Sequence, residues 1–190
     1  MDSHLIAGGI VVIDISDELP KHPTKKYSLR KDPVTALFVH HSGADSGHDG
    51  IDAFIPMANW HVYGETEHKT RWPGIAYHWG ITLRRSLDTD GNLIIYQLEP
   101  ANVVSYHTGG CNRFSEGIVL QGHLGETPLS NFQVECLEAL IPWRCEVLGI
   151  DYHKDLGWHS RADDWGGHKK ATCPGKYAVE WLERYINDEQ

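Results

Sequence analysis

Short apolar runs alternate along this chain with longer segments of helical periodicity. Apolar runs bounded by turn-forming residues predict buried strands, and they occur at residues 10–15, 37–39, 75–83, 93–98 and 118–120. Apolar positions at three- and four-residue spacing predict helices at residues 51–63, 132–148 and 176–186. Interleaved strands and helices indicate an α/β fold, a single domain with a central mixed β-sheet flanked by helices.

Turn and cap residues mark the boundaries of these elements. Asp90-Gly91 is a strong hairpin signal between two of the predicted strands. Ser130 is a candidate N-cap and Gly149 a candidate stop for the second helix, in which Pro142 is expected to introduce a kink.

The remaining segments are polar. Residues 17–32 are expected to wrap the surface, and residues 65–74 and 151–172 to form loops, the second of them rich in His, Gly and Trp. Residues 1–190 are interpreted as one domain, with residues 1–9 as a leader without regular structure.

The charge and the apolar content exclude several partners. The formal net charge is −9, whereas a nucleic-acid partner calls for a basic stripe. No apolar run approaches the length needed to cross a membrane. The first residues lack the basic and apolar regions of a secretory signal, so synthesis in the cytoplasm is expected. The thirteen histidines favour metal or proton chemistry.

The four cysteines predict no disulfide framework. None falls in a CxxC pair, and Cys136 and Cys145 lie nine positions apart on one predicted helix. That spacing separates them by about 13 Å, too far for a disulfide. The pattern is typical of a reducing compartment.

Two histidines end the predicted strand at 37–39, and a cysteine precedes the last helix. Successive strand residues point to opposite faces, so His40 and His41 are expected to serve different surroundings. Cys173 lies just before Pro174, a residue suited to a first helical turn. The helix macrodipole is expected to favour its thiolate, the form that binds metal.

A His₂Cys set follows from His40, His159 of the long loop and Cys173. Three protein ligands with one open position are typical of catalytic zinc, and imidazole with thiolate suits zinc better than magnesium or calcium. His168 of the same loop is an alternative ligand to His159.

The motifs FVHHSG, WPGIAYHWGI, an Asp-Gly hairpin, SYHTGGCNRFSEGIVLQG and WHS followed by TCPG occur in this order. The chain therefore resembles the zinc N-acetylmuramoyl-L-alanine amidases of phage endolysins (amidase_2), and the peptidoglycan recognition proteins are similar. The resemblance runs from about residue 10 to the C-terminus. It implies an amidase_2/PGRP-like fold and one Zn²⁺ per chain.

The resemblance also implies roles for particular residues. His40, His159 and Cys173 correspond to the zinc ligands, and Tyr77 to the catalytic tyrosine. The cytosolic recycling amidases carry a glutamate where this chain has Val119, so the chain resembles the tyrosine variety.

One position departs from the family pattern. Many members place Lys or Thr two residues before the metal-binding Cys, where this chain has Ala171. Lys170 is interpreted as the substitute that stabilises the transition state, with Thr172 on the other side. Which of Tyr77, Lys170 and Thr172 transfers the proton is left open.

Substrate contacts are expected at His107, Asn112, Trp72 and His41. The resemblance places His107 at the cleft, whereas Asn112 either binds the stem peptide or caps its own turn. Trp72 is expected to stack on a sugar or line the cleft, and His41 to pack or support a ligand.

The implied reaction is hydrolysis of the amide between N-acetylmuramic acid and L-alanine in peptidoglycan. Three alternatives remain: a recognition module that binds without cutting, a cytosolic recycling amidase, and a zinc hydrolase acting on another amide. The expected setting is a monomeric phage or prophage endolysin without a separate wall-binding domain. It would reach the wall after holin-type release.

Overall fold

A mixed seven-stranded sheet organises the part of the chain that the computed structural model describes, residues 3–6, 9–64 and 71–188. The strand order is β1-β2-β5-β4-β6-β3-β7. The strands are β1 (Ser3–Leu5), β2 (Ile10–Asp14), β3 (Ala36–His41), β4 (Trp79–Ile81), β5 (Leu93–Gln97), β6 (Ser115–Leu120) and β7 (Leu156–Trp158). The sheet confirms the predicted α/β class.

Parallel pairing dominates the half of the sheet that carries β3. β3 lies between β6 and β7 and is parallel to both, and β4 is parallel to β6. β5 is parallel to β2 and antiparallel to β4, across the predicted Asp-Gly hairpin. β1 pairs antiparallel with β2, so part of the segment interpreted as a leader is joined to the sheet.

Helices cover both faces of the sheet. They are α1 (Ile55–Tyr63), α2 (Asn131–Leu148), the single-turn α3 (Tyr152–Asp155) and α4 (Lys176–Ile186), with 3₁₀ turns at Ser16–Glu18, Gly50–Ala53 and His159–Trp165. α2 and α4 share one apolar core with β3, whereas α1 belongs to a core on the other face. None of the helices in the described ranges is long and apolar enough to cross a membrane.

Local capping chemistry sets the ends of α2 as predicted. The hydroxyl of Ser130 accepts the backbone N–H of Gln133, whose side chain accepts the N–H of Ser130 in return. Gly149 ends the helix at φ 68°, in the left-handed region that glycine adopts without strain. The helix continues through Pro142.

The predicted strands and loops differ from the structure in two places. The strand predicted over residues 75–83 is regular only at Trp79–Ile81. The loop predicted at residues 151–172 contains α3, β7 and a 3₁₀ turn. Of the charged loop predicted at residues 65–74, the part from 65 to 70 lies outside the described residues.

A buried ion pair joins β6 to α2. Glu116 is fully buried, and its carboxylate accepts two hydrogen bonds from the Arg144 guanidinium, at 2.8 and 3.0 Å. The indole N–H of Trp79 donates to the same carboxylate at 2.7 Å, and the guanidinium lies over the Trp79 ring. Bidentate geometry and a third donor offset the desolvation of both charges.

We expect Glu116→Gln to destabilise the fold strongly, because it leaves the Arg144 charge buried without a counter-charge. Removing one partner of a buried pair costs about 3–5 kcal/mol, measurable by urea unfolding. The matched control is Glu135→Gln, which breaks the exposed pair with Arg85 and should cost less than about 1 kcal/mol. Equal losses in the two variants would contradict the structural role of Glu116.

Candidate metal centre

The register of the sheet brings two histidines together. β3 and β7 are parallel, with Val39 opposite Trp158. The residues that follow these two, His40 and His159, therefore emerge side by side at the same edge of the sheet. Their ring centroids are 4.8 Å apart in an edge-to-face arrangement. Val39 packs against α2, and His40 is fully buried on the opposite face of the sheet. Neighbouring residues of β3 therefore alternate between the two faces, as predicted for His40 and His41.

Cys173 completes the group from the turn before α4. Its Sγ lies 3.6 Å from Nδ1 of His40, and one ligand atom from each of His40, His159 and Cys173 lies within 4.8 Å of the others. The structure thus brings together the three residues that the sequence singled out. The alternative ligand His168 is not in this group; its backbone N–H donates to Gly109 and its ring packs against that glycine.

The geometry fits zinc. Tetrahedral coordination with Zn–N bonds of about 2.05 Å and Zn–S bonds of about 2.3 Å separates nitrogen from sulfur by about 3.6 Å. That value agrees with the distance between His40 Nδ1 and Cys173 Sγ. Two imidazoles and one sulfur also form a donor set that zinc prefers.

The expectation that the helix favours the Cys173 thiolate is wrong for the metal-free protein. Burial raises the pKa of the Cys173 thiol to about 11, and a hydrogen bond from the His41 backbone and the charge of Lys170 only partly oppose it. α4 begins at Lys176, so Cys173 lies before its first turn, where the macrodipole acts weakly. A bound cation would therefore have to displace the thiol proton.

A cleft of about 1130 Å³ opens onto this group. Lys25, Arg71, Trp72, Tyr106 and Lys170 are among the side chains that line it. The cleft joins aromatic surface to cationic groups in a chain whose net charge is −9. Such a surface suits a ligand with both apolar and anionic parts.

Tyr77 and Lys170 border the metal group from two sides. The Tyr77 ring centroid lies 5.1 Å from that of His40, and burial raises the pKa of its phenol well above the ordinary value, so it remains a neutral donor at physiological pH. The Lys170 N–H donates to the carbonyl of His159, and its carbonyl accepts the N–H of Cys173. Lys170 therefore belongs to the turn that joins both ligands, and its exposed side chain lines the cleft, as does that of Thr172.

All four predicted substrate contacts line the cleft, and three of them are only partly buried. Trp72 packs edge-to-face against Tyr106, with ring centroids 6.1 Å apart. Asn112 accepts the backbone N–H of Thr108 through Oδ1 at 2.6 Å, so it caps its own turn. His41 accepts the N–H of Leu124 through Nδ1, which supports the backbone beside the cleft.

His107 occupies a different place. Its side chain also contributes to the cleft wall, but the residue is buried behind the metal group, with Nδ1 3.2 Å from Nε2 of His40. Thr108 contacts both imidazoles, and Ser115 contacts that of His107. Neither residue was predicted from the sequence, although both lie near His107 in the motif SYHTGGCNRFSEGIVLQG, which is the signal that could have found them.

Comparison with known proteins identifies the family to which the chain belongs. The model of a family described as N-acetylmuramoyl-L-alanine amidase, Amidase_2, matches residues 30–176. The matched segment begins before β3 and includes His40, Tyr77, His159 and Cys173. No curated protein matches the chain significantly.

Solved structures share the fold at low sequence identity. Drosophila PGRP-LB is 23% identical, with a TM-score of 0.63 over 90% of this chain and 92% of that one. The endolysin N-acetylmuramoyl-L-alanine amidase LysCS from Clostridium intestinale URNW is 21% identical, with a TM-score of 0.59 over 93% and 95%. Peptidoglycan recognition protein LE, solved with tracheal cytotoxin, is 21% identical, with a TM-score of 0.67 over 92% of each chain.

Histidine burial around the cleft predicts a pH-dependent stability. Burial lowers the pKa of His61 to about 3, and its Nδ1 accepts the N–H of Ala76. The unfolded chain protonates this imidazole below a pH of about 6.5 while the folded chain keeps it neutral. Its contribution is thus present above pH 6.5 and is lost as the pH falls towards 3, by up to about 1.4 kcal/mol per pH unit.

Urea unfolding of wild type and His61→Gln between pH 7 and pH 4 tests this. Glutamine retains an acceptor for the Ala76 N–H but does not titrate. We therefore expect the free energy of unfolding of the variant to fall less steeply with acid than that of wild type, and the difference in slope corresponds to at most one bound proton. The control is His48→Gln at an exposed histidine, whose slope should match wild type. The assignment fails if His61→Gln loses stability with acid as steeply as wild type does.

Proposed function

The chain belongs to the N-acetylmuramoyl-L-alanine amidase family, Amidase_2, and on that premise we propose that it is a zinc-dependent peptidoglycan amidase. The bond cleaved in this proposal joins the lactyl carbonyl of N-acetylmuramic acid to the amine of L-alanine in the stem peptide. The observation that carries the proposal is the His40–His159–Cys173 group at the floor of a large cleft. Three protein ligands leave one coordination position for chemistry.

Zinc held by these ligands would act as a Lewis acid and supply a hydrolytic nucleophile at neutral pH. The chain's own residues perform the remaining tasks. Tyr77, a neutral phenol beside His40, is suited to orient the attacking group and to pass a proton to the departing L-alanine amine.

Lys170 is proposed to stabilise the negative charge that develops on the carbonyl oxygen. Lys170 lines the cleft and belongs to the turn that joins His159 to Cys173. Donors aimed at a developing oxyanion typically contribute ~3–4 kcal/mol each. Thr172, which also lines the cleft, is the alternative donor.

The remainder of the cleft is proposed to hold the muramoyl-peptide. Trp72 and Tyr106 offer aromatic faces to the sugar, and Lys25 and Arg71 offer positive charge to the peptide. Drosophila PGRP-LB carrying a tyrosine-to-phenylalanine substitution was solved with tracheal cytotoxin, and this chain is 22% identical to it. That structure supports a peptidoglycan fragment as the ligand of this fold.

A recognition module that binds without cutting is the second candidate, because several similar structures are recognition proteins. Cys173 favours catalysis, since its sulfur completes the ligand set. For the biological setting we propose a phage or prophage endolysin, supported by the endolysin neighbour from Clostridium intestinale. Val119, which stands where the recycling amidases carry a glutamate, counts against a recycling role.

Metal analysis with a wall-lysis assay separates the two candidates. We expect wild type to carry one zinc per chain, to lose lysis on chelation and to regain it with zinc. Cys173→Ser should lose both the metal and lysis, whereas the control Cys145→Ser, in α2, should keep both. A wild-type protein that binds peptidoglycan but carries no zinc would establish the recognition module instead.

Tyr77→Phe tests the proposed proton donor. Removing the hydroxyl should lower kcat by about 10²–10⁴-fold while zinc content and KM stay close to wild type, because the phenol is not a metal ligand. The matched control is Tyr63→Phe, at an exposed tyrosine of α1, which should hydrolyse muramoyl-peptide at the wild-type rate. Unchanged kcat in Tyr77→Phe would remove Tyr77 from the reaction.

A further inference from the structure

A chain of buried polar groups lies directly behind His40. Nε2 of His40, the nitrogen that faces away from Cys173, lies 3.2 Å from both Nδ1 of His107 and the hydroxyl of Thr108. The hydroxyl lies 3.0 Å from Nδ1 of His107. Nε2 of His107 lies 3.3 Å from the carbonyl oxygen of Ser115 and from its hydroxyl oxygen. All four residues are buried.

The partners of this chain fix the position of each proton. The carbonyl oxygen of Ser115 can only accept, so Nε2 of His107 carries the hydrogen. The Ser115 hydroxyl donates to the carbonyl of Cys111 at 2.8 Å, so it too offers a lone pair to His107. Nδ1 of His107 is therefore an acceptor.

His40 is held in one tautomer by the next two partners of the chain. The hydroxyl of Thr108 donates to Nδ1 of His107, and it accepts from Nε2–H of His40, which can also reach His107 directly. The hydrogen of His40 is therefore held on Nε2. Nδ1 is therefore an acceptor, and its lone pair faces the Cys173 sulfur at 3.6 Å.

Two backbone features fix His107 and Thr108 in place. A Cβ atom on Gly117 would lie 2.6 Å from the His107 ring, so glycine at this position of β6 makes room for the imidazole. The N–H of Thr108 donates to the side chain of Asn112, which closes the turn that carries both residues.

We propose that His107 and Thr108 are positioning residues that hold His40 in the Nε2–H tautomer and so present Nδ1 to the metal. The inference rests on the proposed function, because it takes zinc to be the metal that His40 binds. It assigns His107 a different role from the substrate contact implied by its motif. Groups that orient metal-binding histidines typically contribute 10–100-fold in metal affinity.

Two matched double variants test the proposal through zinc affinity, measured by competition with a chromophoric chelator. His107→Leu/Thr108→Val removes both acceptors for His40 Nε2–H at nearly constant volume, and we expect its zinc affinity to fall about 10–100-fold. His107→Asn/Thr108→Ser keeps an acceptor at each place, and its affinity should stay within about threefold of wild type. Equal affinities in the two double variants, whether both high or both low, would overturn the proposal.

The tautomer itself can be observed in the metal-free protein. Long-range ¹H–¹⁵N correlation spectra at neutral pH should show His40 and His107 as Nε2–H imidazoles, with the His40 Nε2–H protected from exchange. That protection should disappear in His107→Leu/Thr108→Val and remain in His107→Asn/Thr108→Ser. An Nδ1–H tautomer for His40, or equal protection in all three proteins, would overturn the proposal.

The measurements distinguish a failure of this proposal from a failure of the proposed function. Zinc binding with the expected tautomers but without wall lysis would overturn the proposed reaction and leave the positioning role intact. A wild-type protein that binds no zinc would overturn both. Thr82→Val controls for the loss of a buried hydroxyl elsewhere, since Thr82 bonds to Arg84 and Ser86 and its variant should bind zinc like wild type.

Discussion

The parallel pairing of β3 with β7 places His40 beside His159, and the candidate metal centre depends on it. β7 is three residues long and lies at one end of the strand order, so a few local contacts hold it. Gly157 allows Phe38 and Trp165 to approach the backbone closely, and the rings of Phe38 and Trp165 pack edge-to-face at 5.3 Å. The 3₁₀ turn that follows starts the chain back towards Cys173. A shift of one residue in this register would move one histidine to the other face of the sheet.

The second requirement is rigidity behind the ligands, and β6 supplies it on both faces. On one face Glu116 is held by Arg144 and Trp79. The backbone of the neighbouring residues, Ser115 and Gly117, accommodates His107 on the other. The ion pair that ties β6 to α2 therefore also fixes the carbonyl that orients the imidazoles. Because the whole cluster excludes water, each of its hydrogen bonds has a definite direction, and reorienting one ring would leave a buried polar group unsatisfied.

The sequence predicted those features that depend on local pattern. The β3 run, the caps of α2 at Ser130 and Gly149, and the range of α4 follow from alternation, capping and helical periodicity. It failed where tertiary context decides. β7 is a three-residue run containing glycine within a polar segment, and only its partner β3 makes it a strand. The pairing of Glu116 with Arg144 joins residues 28 positions apart, beyond any local signal. The thiolate expected at Cys173 assumed that the macrodipole outweighs burial, and the enclosed position of the sulfur reverses that order.

Proteins described as amidases and proteins described as recognition proteins share this fold. The sheet and the cleft therefore do not decide between cutting and binding. A cleft that only binds needs shape and charge at its walls, where Trp72 and Lys25 lie. Hydrolysis also needs a cation held with one open coordination position. That demands two imidazoles with lone pairs turned inward and a thiol whose proton is released to solvent when the metal binds. In the metal-free state, burial lowers the pKa of His40 and raises the pKa of the Cys173 thiol, so both groups stay neutral. An imidazole that stays neutral keeps a lone pair available, so this burial is compatible with a candidate cation site.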